Sequence, residues 1–525
     1  MKGLRNAVCI RGRNGSKAVP APLVFSAGER EFGQKSIAIL QLFYIIWCWG
    51  QMGSAPFAVG VIDPICKICT RSKMMQKVRN TRVMDMTEGS AAKLLFAFAL
   101  PIFLGNLFQQ FYNLADTAIA GHLLGDGALA QIGATAALYS TITGFAFGLN
   151  TGFALVVSRF FGAGDEWGVR RASGWMVVLA AIWAVVLTGG FLVLRHPLLS
   201  ALNTPDTVME GALSYITVIL AGIPLTMAYN LEAGLLRSVG NSMTPLYFLM
   251  FSCGLNVGLD YLFMGPLGMG VRGAAAATVI SQGISAAMGF VYIVRNYVQM
   301  RFRLEDLKAA PELSGEMFVT GLSMAMMSTI YSIGSVILQS SINALGSVYI
   351  AAQVGGRRLV ELFMMPGGAL SSSCATFASQ NFGAGKRGRI AKGVKAAFFM
   401  YLAWWIFALF FAVFLAPAAV ELITGSQSRD VIANAALYIR VSIPMFPPMG
   451  FLVIMRNALQ GMRHRIAPLL CSSLELIGKV IFGYWIVPVM GYPAVCACEP
   501  VTWVICFLFI AGAAFWWREE FRDLA

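Results

Sequence analysis

Two acidic residues in the first half of the chain lie where an acidic side chain is costly. Asp116 lies in LFQQFYNLADTAIAG and Asp260 in LNVGLDYLF, both within long apolar stretches. A charge at the centre of a bilayer costs roughly 2.5 to 3.5 kcal/mol, so each acid needs a partner, a water-filled cavity or a function. Apolar surroundings disfavour the charged carboxylate, which near neutral pH can then exchange a proton or bind Na+. We predict cation coupling at both residues; the alternative is a buried polar cluster that only fastens helices together.

Further polar residues recur beside each acid at helical spacing. Gln109, Tyr112 and Asp116 are three and four residues apart, and Asn256 precedes Asp260 by four. Residues at these spacings share one face of a helix. Two polar stripes in one bundle predict a shared internal cavity.

A third apolar stretch contributes Tyr215 and Asn230, which we expect on a broadly common helical face of that cavity. Pro101 precedes Asp116 by 15 residues. Proline removes a backbone donor and creates a place where a helix bends. We therefore predict a bend at Pro101.

The second half carries pairs of opposite charge instead. Arg357, Arg358 and Glu361 lie together in one apolar stretch, and Glu475 precedes Lys479 by four residues in another. Pairs at this spacing neutralise each other on a helix. We interpret them as structural, with a functional role as the alternative.

The elements that position these residues must be membrane helices. The chain has 525 residues, of which 58% are hydrophobic and 12% charged, whereas a soluble domain has about 25% charged residues. Residues 92–517 form a series of continuously apolar stretches, each long enough to cross the ~30 Å hydrocarbon core as a helix. Continuous stretches exclude the alternating pattern of a membrane barrel.

We predict twelve spans, at about 92–122, 128–158, 172–194, 208–236, 242–264, 270–297, 316–343, 347–378, 393–416, 430–456, 464–487 and 495–517. With both ends of this series inside, basic residues in and next to the connections number 19 inside and 4 outside. This asymmetry predicts a bacterial inner-membrane protein with both ends of the twelve-helix core in the cytoplasm.

The chain repeats itself. SRFFGAGDEWGVRRA, from Ser158, reappears as SQNFGAGKRGRIAKG, from Ser379, at an offset of 221 residues. YITVILAGIP, from Tyr215, aligns with YIRVSIPMFP, from Tyr438, at an offset of 223. The repeat predicts two six-helix lobes of the same orientation, an N-lobe (85–297) and a C-lobe (316–525), joined by a cytoplasmic linker (298–315). Such duplication in a membrane protein indicates transport by rocking of the lobes.

Residues 1–84 stand apart from this pattern, with 13 basic and 3 acidic residues. They hold most of the formal charge of +14, so the transmembrane core gives no reason to expect a nucleic-acid partner. The apolar run at 36–62 is a marginal extra helix, part of a targeting leader, or part of an upstream extension that is not normally translated. We favour the last, because Met84 and Met86 lie just before the regular pattern.

Several motifs together resemble the multidrug and toxic compound extrusion (MATE) family, close to its prokaryotic DNA-damage-inducible branch. They are MTEGSAAKLLFAFALPIFLGNLFQQFYNLADTAIAG, the two FGAG loops, LRSVGNSMTP, and LNVGLDYLF followed by GPLGMGVRGAAAATVISQ. The resemblance extends from Met86 to the C-terminus. It implies a V-shaped pair of lobes that exports cationic or amphipathic compounds by antiport with H+ or Na+.

The resemblance also implies a coupling-ion site in the N-lobe and a bending proline at Pro101. The residues that match the family's site are Gln109, Tyr112, Asp116, Tyr215, Asn230, Asn256 and Asp260. Because Glu475 is paired with Lys479, we predict no second cation site in the C-lobe.

The remaining expectations concern partners and alternatives. The chain has no P-loop, and His122, His196 and His464 are unclustered, so we predict neither ATP-driven transport nor an enzyme. We expect no cofactor and no bound metal apart from Na+ at the coupling site, small cationic organic substrates, the lipid bilayer as surroundings, and a monomer. The alternative is a flippase for a lipid-linked precursor, which Arg357 and Arg358 would support.

Overall fold

The computed structural model describes residues 84–308, 310–425 and 428–521, and within these ranges the chain forms helices and no strands. The predicted extension, except for Met84, lies outside the described residues. The first half forms seven helices, which are α1 (Ala91–Leu124), α2 (Asp126–Gly162), α3 (Glu166–Ala201), α4 (Asp206–Ala221), α5 (Ile223–Ser238), α6 (Met243–Met264) and α7 (Val271–Asn296).

Two 3₁₀ turns, Val298–Met300 and Leu304–Leu307, lead into the second half. Its helices are α8 (Pro311–Asn343), α9 (Ser347–Gly383), α10 (Arg387–Phe414), α11 (Ala416–Thr424), α12 (Arg429–Ser442), α13 (Phe446–Gly461), α14 (Ile466–Ile481), α15 (Val487–Met490) and α16 (Tyr492–Trp516). A 3₁₀ turn at Ile443–Met445 separates α12 from α13, and a π-helical turn at Phe482–Ile486 separates α14 from α15.

These helices account for the predicted spans. Ten elements of the described chain are long and apolar enough to cross a membrane, and α4 with α5 forms an eleventh that is bent by 47°. The predicted span at 347–378 corresponds to α9, which is not among these eleven and whose 37 residues include Arg357, Arg358 and Glu361. The prediction of an all-helical membrane protein with two six-helix lobes is confirmed. The span at 208–236 is broken in the structure, because α4 ends before Gly222 and α5 begins after it with Pro224 in its first turn.

The two FGAG loops adopt the same backbone conformation. After α2, Ala163, Gly164 and Asp165 donate hydrogen bonds to the carbonyls of Arg159, Phe161 and Phe160. After α9, the residues 221 positions later repeat the same three bonds. Gly164 and Gly385 both have positive φ, +69° and +73°, which favours glycine. The sequence repeat is therefore a structural repeat. The end of the molecule that carries these loops is called the FGAG end below.

The lobes meet closely near the FGAG end. α2 crosses α8 where Gly152 lies against Gly321, so near that a Cβ atom on Gly152 would come within 2.6 Å of the Gly321 Cα. Small residues permit such close approach of membrane helices. The guanidinium of Arg159 on α2 also makes two hydrogen bonds, of 2.6 and 2.7 Å, to the Glu316 carboxylate on α8.

Reciprocal contacts join the ends of α2 and α9. The Ser158 hydroxyl lies 3.4 Å from the carbonyl oxygen of Thr376, and the Ser379 hydroxyl lies 2.6 Å from that of Leu155. A Cβ on Gly162 would collide with the backbone of Gln380, and a Cβ on Gly383 with that of Arg159. Each contact has its counterpart 221 residues away. A pseudo-twofold axis therefore passes between the ends of these helices.

Part of the first helix of each lobe packs in the hydrophobic core of the other lobe. Leu95, Phe98 and Ala99 of α1 belong to the core built by the C-lobe helices. Met317 and Ala325 of α8 belong to the core of the N-lobe. The lobe boundaries along the sequence are therefore not the boundaries of the packed cores.

Segment 84–89, just before α1, is packed between the lobes at the FGAG end. Met86 is fully buried. Its backbone N–H donates to Oε1 of Gln380 at 3.0 Å, and its carbonyl accepts from Nδ2 of Asn381 at 3.0 Å. Gln380 in turn donates through Nε2 to the carbonyl of Ser238, at the end of α5. The segment therefore connects to both lobes.

The linker between the lobes is held against α3. The Asp306 carboxylate accepts a hydrogen bond from the backbone N–H of Arg303 at 2.7 Å and pairs with the guanidinium of Arg170 at 2.9 Å. The first contact, helped by the second, lowers the pKa of Asp306. The linker therefore keeps a charged contact with the N-lobe.

Candidate functional site

A set of polar side chains, termed the N-lobe cluster, meets inside the N-lobe. Its members are Tyr112 and Asp116 on α1, Tyr139 on α2, Tyr215 on α4, Asn256 and Asp260 on α6, and Thr278 on α7.

The two acids of the N-lobe cluster face each other. The carboxyl group of Asp260 is fully buried and lies within hydrogen-bonding reach of that of Asp116. Both oxygens of Asp260 and Oδ1 of Asp116 have no donor among the described residues, and no lysine or arginine of that part of the chain balances them. Two carboxylates this close in a dry site cannot both stay charged. A shared proton or a cation between them is needed.

Thr278 connects the two helices of the cluster that carry the acids. Its Oγ1 lies 3.1 Å from the hydroxyl oxygen of Tyr112 on α1 and 3.4 Å from Nδ2 of Asn256 on α6. The amide oxygen of Asn256 is buried without a donor in the described structure. Hydroxyl, amide and carboxylate oxygens therefore converge, and oxygen ligands are those that hard cations prefer.

One buried tyrosine and two partly buried ones lie around the acids. Tyr112, Tyr139 and Tyr215 all lie close enough to Asp116 to interact with its charge. A phenol can donate a hydrogen bond to a carboxylate or accept one from a protonated carboxyl. The tyrosines can therefore adapt to either protonation state of Asp116.

The bend between α4 and α5 lies next to two small cavities. One is lined by Tyr139, Thr226 and apolar side chains of α2, α4 and α5, and the other by Gln109, Tyr112, Tyr229 and Gln282 together with neighbours on α6 and α7. The Thr226 hydroxyl donates to Oε1 of Gln282 at 2.6 Å, between these cavities. Two small spaces therefore lie beside the cluster, the first lined mostly by apolar and the second largely by polar side chains. A single shared cavity stays a prediction.

The structure brings Tyr112, Asp116, Tyr215, Asn256 and Asp260 together, as the sequence predicts, and Gln109 lines the adjoining cavity. Asn230 differs, because its amide donates to the carbonyl of Thr226 in its own helix. A common face for Tyr215 and Asn230 stays a prediction; the bend of 47° lies between them.

Pro101 is buried in α1, which continues through it as one helix. The missing N–H of Pro101 leaves the carbonyl of Ala97 without its usual helical donor. A bend of α1 at this residue stays a prediction.

The charged pairs of the C-lobe are confirmed. Nε of Arg357 lies 2.7 Å from Oε1 of Glu361, and Nζ of Lys479 lies 3.1 Å from Oε1 of Glu475. Grouping Arg358 with them is wrong, because its side chain is exposed, whereas Arg357 next to it is partly buried among Tyr331, Ser335 and Glu361.

Glu499 on α16 completes a C-lobe cluster with Arg357, Tyr438 and Lys479, and the sequence analysis did not single it out. Its carboxylate accepts a hydrogen bond from the Tyr438 hydroxyl at 2.9 Å. Arg357 and Lys479 supply the positive charges that act on it. The sequence could have indicated it, because Glu499 is an acidic residue within an apolar span, as Asp116 is.

The sequence analysis also left out Glu232 on α5. Glu232 is 3% exposed, its Oε2 has no donor in the described chain, and the absent side chain of Gly289 makes room for its carboxyl group. No group of three or more His, Cys, Asp or Glu side chains that could hold a metal ion exists within the described residues.

Comparisons with known proteins agree on one family. A family model described as MatE matches residues 101–262 and 323–485, one match in each lobe and together more than half of the chain. The probable multidrug resistance protein YpnP of Bacillus subtilis is 28% identical over 58% of this chain and 68% of its own length. The probable multidrug resistance protein NorM of Thermotoga maritima is 25% identical over 73% of this chain and 83% of its own.

The fold has close counterparts among solved structures. A transporter of the MOP superfamily from Pyrococcus furiosus superposes with a TM-score of 0.76 and 22% identity, over 84% of this chain and 98% of that one. A structure described as MATE in complex with MaL6 gives a TM-score of 0.77 and 21% identity, over 84% and 99%. At this identity the likeness concerns the fold.

Proposed function

Since the chain belongs to the multidrug and toxic compound extrusion family and is a multi-pass membrane transporter, we propose that it exports small organic molecules in exchange for H+ or Na+. The names of two relatives, both multidrug resistance proteins, favour a range of substrates over a single one.

The observation that carries the proposal is the pair of facing carboxylates in the N-lobe cluster. Asp116 and Asp260 are held by different helices, α1 and α6, without a basic partner among the described residues. With a proton or Na+ between them the two helices can pack closely, and without it the like charges repel. Occupancy therefore favours one arrangement of the lobe over another, which is the condition for coupling. One charge moving down 100 mV supplies about 2.3 kcal/mol.

The substrate is proposed to be cationic or amphipathic and to bind between the lobes of a monomer. The proposed setting is the inner membrane of a bacterium, with the FGAG end and both ends of the twelve-helix core in the cytoplasm. The coupling ion is the only inorganic partner, and no organic cofactor is involved. The flippase alternative needs free cationic side chains. Arg357 is engaged by Glu361 and Glu499, which leaves the exposed Arg358 as its support. The antiporter, which rests on the two facing carboxylates, is the better supported function.

The test is transport of a fluorescent organic cation in proteoliposomes, with a proton gradient and a Na+ gradient imposed separately. We expect one gradient to drive accumulation and the Asp116→Asn variant to lose that accumulation while it still folds. Asp126→Asn, an exposed aspartate at the start of α2, is the matched control and should transport like the unmodified protein. Full gradient-driven transport by Asp116→Asn would overturn the coupling role.

A further inference from the structure

The two polar clusters occupy equivalent positions in the repeat. α7 and α16 both begin after a glycine in the same unusual conformation, Gly270 with φ +59° and ψ −147° and Gly491 with φ +67° and ψ −147°. Thr278 lies eight residues after the first glycine, and Glu499 lies eight residues after the second. Glu499 is therefore the C-lobe counterpart of Thr278.

Two further positions correspond in the same way. α6 begins at Met243 and α14 at Ile466, each 13 residues before a cluster member, Asn256 in one and Lys479 in the other. α4 begins at Asp206 and α12 at Arg429, each nine residues before a tyrosine of its cluster, Tyr215 and Tyr438. In both pairs of helices, the start in the C-lobe lies 223 residues after the start in the N-lobe. The tyrosine is kept, and the amide and hydroxyl of the N-lobe become an ammonium and a carboxylate.

The side chains at two of these positions also interact in both lobes, through a hydrogen bond in one and through their charges in the other. In the N-lobe, Nδ2 of Asn256 lies 3.4 Å from Oγ1 of Thr278. In the C-lobe, Lys479 and Glu499 attract each other at the same two positions. The C-lobe cluster is therefore built on the same backbone frame as the N-lobe cluster.

The difference between the clusters is their charge. The N-lobe cluster has two carboxylates and no base within the described residues. The C-lobe cluster has the carboxylates of Glu475 and Glu499 against Lys479 and Arg357. Lys479 is 1% exposed, and its Nζ lies 4.2 Å from the centre of the Tyr331 ring, a favourable position for a cation. A buried cation of the protein itself balances the C-lobe acids.

We propose that the C-lobe cluster is a cation site whose ion is built in, with the ammonium group of Lys479 in the place of an exchangeable H+ or Na+. This rests on the proposed function in one respect, that the N-lobe cluster takes up the coupling ion. The duplicated transporter then has one exchangeable site, because its second site is permanently filled. Removal of the ammonium group should open that second site.

The groups around Glu499 and around the Glu475–Lys479 pair define what a variant would leave behind. They come from five helices and are Tyr331 on α8, Arg357 on α9, Tyr438 on α12, Arg456 on α13, and Glu475 and Lys479 on α14. Without Lys479, Arg357 remains next to Glu499, and Arg456 lies 3.8 Å from Glu475. Arg357 is also paired with Glu361, so three carboxylates then share two guanidinium groups, and a proton or Na+ should bind.

The test measures thermal unfolding of the full chain in detergent, at mildly acidic and mildly alkaline pH, with and without Na+. Every protein carries Asp116→Asn, which removes one of the paired acids of the N-lobe cluster and so its response to cations. Lys479→Met removes the ammonium group with little change in volume, and Lys479→Arg keeps the charge as the matched control. We expect Lys479→Met to lose on the order of 10 °C in midpoint at alkaline pH without Na+, and to recover it with acid or Na+.

A third variant, Lys479→Met with Glu499→Gln, tests whether the unbalanced carboxylate of Glu499 causes the loss of stability. It should be more stable than Lys479→Met alone and should no longer respond to acid or Na+, because the carboxylate that needs a cation is gone. The same comparison holds if Lys479→Met yields no folded protein, since the added Glu499→Gln should then restore folding. The proposal is overturned if acid, Na+ and Glu499→Gln all fail to restore Lys479→Met. Because the test measures no transport, its result can be interpreted even if the proposed antiport is wrong.

Discussion

At the scale of single residues, Thr278 belongs to the N-lobe cluster although its residue type gives no sign of this in the sequence. It is the contact shared by Tyr112 on α1 and Asn256 on α6. Its own hydroxyl also lies 3.1 Å from the carbonyl oxygen of Ala274. The arrangement ties α7 to the two helices that carry the acids.

We expect Thr278→Val to weaken binding of the coupling ion roughly fivefold, because loss of one buried hydrogen-bonding hydroxyl costs about 1 kcal/mol. The measurement is the dependence of transport on the concentration of the driving ion. Thr117→Val, beside Asp116 but with its hydroxyl bonded to the carbonyl of Asn113 in its own helix, is the control. Equal ion dependence in both variants would remove Thr278 from the site.

Residues differ in how strongly sequence reveals them. An acidic residue in an apolar span is noticeable because a charge in the bilayer costs free energy, which is why Asp116 and Asp260 could be predicted. A threonine gives no such signal, because it can satisfy its hydroxyl on its own helix, as Thr278 does with Ala274. Glu499 shows that the same cost argument must be applied in both lobes.

At the scale of elements, the ends of α2 and α9 are in contact through their backbones. Gly162 and Gly383 permit this contact, since a Cβ on either would collide with the other helix. We expect Gly162→Ala to cost about 1–3 kcal/mol through overpacking, measured by unfolding in detergent. Gly189→Ala on α3 has open space around its Cβ and should be neutral or stabilising. Equal stability of the two variants would contradict a tight contact.

The elements themselves were largely readable from the sequence, whereas the choice of prolines that break a span was not. Apolar length fixes where a helix can cross a bilayer, so all spans but the more polar α9 follow from it. A proline alone does not fix a break, because α1 and α9 continue through Pro101 and Pro366. Gly222 breaks its span together with Pro224 two residues later, and the C-lobe breaks at the equivalent place, Ile443–Met445. Packing decides which prolines interrupt a helix.

At the scale of the whole molecule, segment 84–89 connects the lobes at the FGAG end. Asn381 holds this segment through the carbonyl of Met86. We expect Asn381→Ala to speed hydrogen exchange in the segment on the order of tenfold, since an opening eased by 1.4 kcal/mol gives that factor.

The measurement is exchange followed by mass spectrometry on the full chain. Asn457→Ala is the matched control, because Asn457 lies in the same lobe and bonds to Ser371 and Val453 instead. Unchanged exchange in Asn381→Ala, or the same change in both variants, would show that Asn381 does not hold the segment.

Sequence repeats predicted two lobes but not how their cores are shared. The repeat gives the number and relative orientation of the helices, because after six spans the chain is again on the side of the membrane where it began. The packing of α1 into the C-lobe core and of α8 into the N-lobe core joins residues hundreds of positions apart. Such contacts depend on side-chain fit between distant segments, which no local pattern encodes.

The polarity of α9 has a consequence for how the protein is made. Arg357, Arg358 and Glu361 make this helix a poor candidate for entering the bilayer alone. When α9 is synthesised, Arg357 can interact only with Glu361 and with side chains of earlier helices, such as Tyr331 and Ser335. Glu499 is synthesised 142 residues later. Insertion of α9 therefore depends on the helices already in place, and its integration is completed when α16 arrives.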